Sequence, residues 1–64
     1  MRLGIVLRRY RAIEQCSLRE LAQQIGIPFT TLGRVEHGEH VDARNLMKIF
    51  NWFVEEVGHQ QKLA

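Results

Sequence analysis

The chain has 64 residues, enough for one domain but too few to wall an enzyme pocket with a sizeable core, since a chain this short buries only about 60% of its unfolded surface. Hydrophobic residues make up 45% of it, which excludes disorder along the whole length, and the net charge of +2 admits a polyanionic partner without demanding one. The charge is unevenly placed. Residues 1–34 carry six arginines against two glutamates, a surplus of +4, whereas residues 35–64 carry three basic and five acidic side chains, a balance of −2.

The first element expected is a helix from about Leu3 to Gln15, where Leu3, Val6, Leu7, Tyr10 and Ile13 recur at helical spacing with arginines on the other faces. The apolar patch Leu3 to Leu7 is cut off at once by Arg8, Arg9 and Arg11, so it does not read as a signal peptide. Cys16 is the only cysteine, so no internal disulfide staples the core; a reducing cytoplasm is the expected location. No run approaches the roughly 18 apolar residues of a membrane span.

A capping box opens the second helix: Ser17 is followed three residues later by Glu20, so each can satisfy an orphan donor of the other. Leu18, Leu21, Ala22 and Ile25 supply its apolar face, and Gly26 stops it. Pro28 is pre-organised for a new helix start, Phe29 to Glu36 follows with Leu32 and Val35 inward, and His37-Gly38 ends it. Asp42 is the N-cap expected for the last helix, in which Leu46, Ile49, Phe50, Phe53 and Val57 keep the helical period. Gly58 is expected to end the ordered core (about 3–57), leaving 59–64 as a frayed tail. No sustained period-two alternation competes, so the chain reads as one all-α domain over 1–64.

Two short helices joined by a tight glycine-containing turn are a helix-turn-helix. The stretch from Ser17 to Gly38, with Leu21-Ala22, the turn Gly26, Leu32, and Glu36 two residues before Gly38, resembles the signature of the Cro / lambda repressor-like (XRE) family. The resemblance extends from Leu7 to about Phe53. It implies a compact four- to five-helix DNA-binding domain whose second short helix, 29–36, lies in the major groove while the first crosses the backbone.

Carried over by position, the resemblance implies base contacts from Phe29, Thr30 and Arg34, with Thr31 nearby. Arginine donates two parallel hydrogen bonds to guanine O6 and N7, threonine bonds a base or phosphate, and a phenyl ring presses on a thymine methyl. Phosphate contacts are implied for Ser17, Leu18 and Arg19 at the start of the first short helix, for Gln23 on its outer face, for His37, and for Arg44 early in the last helix. Arg11 and Glu36 are implied to form an internal ion pair that ties the first helix to the end of the recognition helix.

Phe29 stands where polar residues are common in the family, and Gly33 sits inside the recognition helix at a cost of roughly 1 kcal/mol against alanine. His37, His40 and His59 lack zinc-finger spacing, Cys16 has no general base that the sequence identifies, and no phosphate-binding loop appears, so no metal, cofactor or enzymatic activity is expected. The function expected is a sequence-specific transcriptional regulator, a repressor, binding double-stranded DNA as a homodimer. Trp52 either covers a dimer contact or packs on the first helix. The alternative is a protein-interaction module of a small phage or plasmid regulator, which an exposed Phe29 favours.

Overall fold

A computed structural model describes residues 2–61, with side chains through Glu56. These residues form four helices and no strand: α1 (Leu3–Glu14), α2 (Leu18–Ile25), α3 (Phe29–Glu36) and α4 (Ala43–Gln61). The turns between them share one physical device. After α1, Gln15 takes a left-handed conformation (φ 54°) and the Cys16 N–H donates back to the Arg11 carbonyl (3.1 Å). After α2, Gly26 (φ 92°) plays the same part and the Ile27 N–H donates to Ala22 (3.1 Å). After α3, Gly38 (φ 84°) lets the Glu39 N–H reach Arg34 (2.9 Å). Each bond satisfies a carbonyl that the helix end orphans, and the sharp reversal tucks the next apolar residue inward. Ile27 is thereby buried and Cys16 half-buried, although neither lies on a helical stripe.

α3 packs on α1 and α2, and α4 packs on α2. The core between them holds Leu7, Leu21, Ala22, Ile25, Ile27, Leu32, Val35, Ile49 and Trp52. Trp52 meets Tyr10 of α1 edge to face, with ring centroids 5.0 Å apart, so it packs on the first helix. Its indole N–H has no acceptor among the described residues. Gly4 is buried where α1 crosses the end of α3. A Cβ there would strike the Val35 carbonyl oxygen and lie 3.0 Å from the Glu36 Cα, so only glycine lets the helices approach this closely.

Several apolar positions face solvent instead of the core. Val6 is exposed and Ile13 is 78% exposed, because α1 touches its neighbours along a band through Leu3, Gly4, Leu7, Tyr10 and Arg11 and turns the rest of the expected stripe to solvent. In α4, Ile49 and Trp52 point inward, whereas Leu46, Phe50 and Phe53 are exposed. The period was right, but the helix is rotated so that its buried line falls beside the expected stripe. Val57 lies beyond the described side chains. Gly58 does not end the helix, which runs on to Gln61. A glycine inside a helix costs only about 1 kcal/mol, and it stops one only by leaving helical φ and ψ. Of the expected tail, residues 62–64 lie outside the described residues.

Candidate nucleic-acid interface

The frame for this surface is set by α2 and α3. Leu21, Ala22 and Ile25 from α2 meet Leu32 and Val35 from α3, and all five are buried, which fixes the crossing of the two helices. Gly26 and Ile27 complete the turn, and Pro28 stands in extended backbone (φ −62°, ψ 142°) with its carbonyl accepting from the Leu32 N–H (3.1 Å). α3 carries no side-chain cap at its N-terminus, so its first-turn amides are left open at the end where Phe29 and Thr30 stand.

Thr30 and Arg34 of α3 and His37, the residue at its C-terminal cap, recur at helical spacing and are all exposed, forming one polar face. Thr31 is half-buried, unlike Thr30. The Arg34 side chain makes no hydrogen bond or ion pair among the described residues. The His37 Nδ1–H donates to the Gly33 carbonyl (2.8 Å), since a carbonyl oxygen can only accept, and this leaves Nε2 on the far side of the ring. Gly33 is half-buried, and a Cβ there would lie 3.4 Å from Leu18 Cδ2, an ordinary contact.

Arg19 and Phe29 come together in a way the residue pattern did not announce. The Arg19 guanidinium lies 4.2 Å from the centroid of the Phe29 ring. The exposed phenyl is therefore covered on one face by a cation from α2, an attraction worth about 0.5–1 kcal/mol at such a surface site. A basic residue at the second position of one helix and an aromatic at the head of the next carry no local signal of contact; the helix crossing creates it.

At the start of α2 the capping box is closed. The Glu20 N–H donates to Ser17 Oγ (3.1 Å), and the Ser17 N–H donates to Glu20 Oε1 (2.7 Å). That second bond holds the Glu20 carboxyl below its ordinary range. The Ser17 amide is thus committed within the chain, and the Leu18 and Arg19 amides remain the first-turn donors of α2. Leu18 itself is half-buried, its side chain packed against the core. Gln23 is exposed on α2, and Arg44 is exposed in the first turn of α4.

Arg11 and Glu36 lie behind this surface. Arg11 Nε donates to Glu36 Oε2 (2.7 Å) and Nη2 to Oε1 (2.8 Å), a two-pronged pair with a carboxylate that is only 6% exposed. Its bond to Glu36 raises the already high pKa of the guanidinium. Arg8 Nη2 donates to the Glu36 backbone carbonyl (2.9 Å), adding a second tie from α1 to the end of α3. Burial pushes the Cys16 thiol up, away from reactive thiolate character. Among the described residues no group of three or more His, Cys, Asp or Glu is placed to hold a metal ion. Among the described residues no helix is long and apolar enough to cross a membrane.

Comparison with family models, with curated proteins and with solved structures finds no match to this chain.

Proposed function

We propose that this protein is a sequence-specific DNA-binding regulator of the Cro / lambda repressor-like (XRE) kind, a cytoplasmic repressor that lays α3 in the major groove. The observation that carries this reading is the exposed face of α3. Thr30, Arg34 and His37 stand together there, Arg34 is unpaired among the described residues, and the helix N-terminus is uncapped. A planar guanidinium held out on a rigid helix suits bidentate reading of guanine. Arg19, the open amides of Leu18 and Arg19, Gln23 and His37 surround that face and suit phosphates, and the basic surplus of residues 1–34 supports the same partner.

Phe29, which had favoured a protein partner, has a place in this reading. Pinned beneath Arg19, it presents a ring edge to a thymine methyl while its cation stays near the backbone. Two copies on a near-palindromic site would place two such helices about one turn of DNA apart. The second reading, a protein-interaction module, is favoured by the exposed apolar residues of α4.

The deciding experiment is selection of bound duplexes from random DNA, followed by titration of Arg34→Ala on the selected site. A selected consensus is expected, with the variant losing about 1–3 kcal/mol and tolerating any base at one position of each half-site. If selection returns no consensus, the groove reading fails and the interaction module takes its place.

A further inference from the structure

The solvent side of α1 carries Arg2, Arg8 and Arg9 together with Ile5, Val6 and Ile13, all exposed, the three aliphatics by 37, 39 and 78%. At 100° per residue these six span an arc of about 160°, and Ala12 is the one other residue on it. An ordinary solvated helix face sets acids three or four positions from its basic residues. None of these arginines has one. Glu14, the acid of α1, lies about 140° round from Arg9, and Arg2 and Arg9 make no ion pair among the described residues. Gly4 and Arg11, which meet the end of α3, also lie about 140–160° from Arg9, so this face is turned from α3.

We infer that this face docks an acidic amphipathic helix of another protein, with carboxylates alternating with aliphatic side chains along its seam. The order of residues carries the assignment, which does not rest on the groove reading. Arg2, Val6, Arg9 and Ile13 are four, three and four positions apart and fall within about 60° of one another. That spacing keeps one line of a helix against a second helix, as in a coiled-coil seam. Alternation of cation and aliphatic along the line asks for the same alternation, with opposite charge, from the partner.

A groove of about 610 Å³ adjoins the seam on the side of Ile5 and Arg8, where Leu3, Val35 and Val41 also line it. It offers the partner an anchor for one bulky apolar side chain beside the charged line. Arg8 is held at its edge by the 2.9 Å bond to the Glu36 carbonyl, and its remaining N–H groups are free to meet a carboxylate. Glu39 lines the groove as well, which favours a partner whose acids lie along the seam and whose groove-filling residue is uncharged. A second copy of the same face is a poor occupant, because its arginines would meet only arginines or aliphatics. A lipid surface is a poor one too, since helices that lie in a membrane interface keep their cations off the apolar face, and Arg9 stands between Val6 and Ile13.

The test is selection on the full chain, without DNA, from a displayed library of helical peptides of about 20 residues randomised along one face. The expected consensus alternates Glu or Asp with Leu or Ile at the same four-three spacing. The synthetic consensus peptide should bind with a dissociation constant of roughly tens of micromolar by fluorescence anisotropy, as suits a small interface. Ile13→Ser and Arg9→Glu, both on exposed positions, should keep the circular dichroism spectrum and each weaken binding about tenfold. A peptide with its acids changed to lysine should bind R9E better than it binds the parent chain. A consensus without acids, or peptide binding indifferent to both variants, would overturn the inference. So would vesicles of equimolar phosphatidylcholine and phosphatidylglycerol binding the chain through Arg9 and Ile13 while no peptide is enriched. Because Ile13 is the most exposed aliphatic of the face, its variant decides the matter even if R9E does not fold.

Discussion

At the scale of single residues, the buried carboxylate of Glu36 is the most consequential charge in the molecule. It is 6% exposed and held by both prongs of Arg11, so removing the arginine strands a charge in the interior. Arg11→Met should therefore cost about 3–5 kcal/mol by urea denaturation, a large part of what a domain of this size has. Replacing the pair together, as R11M with Glu36→Leu, should recover much of that loss. Gly4 is the second such position: Gly4→Ala should destabilise by about 1–3 kcal/mol, because the added methyl meets backbone, which cannot rotate away. Nothing in the residue pattern marked Gly4, since a glycine in a first helical turn looks ordinary until another helix is laid across it.

At the scale of elements, α2 owes its start to a local circuit between Ser17 and Glu20. Because folding lowers the Glu20 pKa, its contribution is present above the ordinary carboxylate range and is lost as the pH falls through the lowered folded value. Glu20→Gln, which keeps the capping geometry without the titration, should fold near neutral pH but flatten the acid limb of the urea midpoint against pH. α3 offers a test that separates fold from function. Gly33→Ala meets only ordinary contact with Leu18 and gains helix propensity, so the thermal midpoint should hold or rise, by up to about 1 kcal/mol of stability. A parallel loss of affinity on the selected duplex would show that this glycine serves close approach to the groove; unchanged affinity would show that it does not.

At the scale of the whole molecule, the proposed DNA-facing side and the pillar that supports it are different residues, and they should come apart in experiment. Arg34→Ala, on an exposed and unpaired side chain, should leave stability within about 0.5 kcal/mol while damaging sequence preference. Affinity for DNA should fall steeply and linearly on a log scale as salt rises, because phosphate contacts release counterions; a salt-independent complex would exclude DNA as the partner. α3 packs on α1 and α2 while α4 packs on α2, so the proposed groove-reading face and the exposed apolar residues of α4 belong to separate helices that can be altered independently.

Local chemistry was enough to read the four helices, the capping box at Ser17, the stops at Gly26 and Gly38, and the inward side of α2 and α3. Each of those depends on neighbours within a turn or two along the chain, where hydrogen-bond geometry and helical period act directly. The rotation of α4 about its axis, the burial of Ile27, the need for Gly4 and the stacking of Arg19 on Phe29 were decided by tertiary structure. A periodic apolar pattern shows that a helix has a face to bury, but α4 carries enough apolar residues for two faces. Which one turns to the core depends on how Ile49 and Trp52 fit against α2 and Tyr10, and that is a matter of shape between elements distant in sequence. The apolar residues left outside, Leu46, Phe50 and Phe53 among them, are what favour the second reading of the molecule.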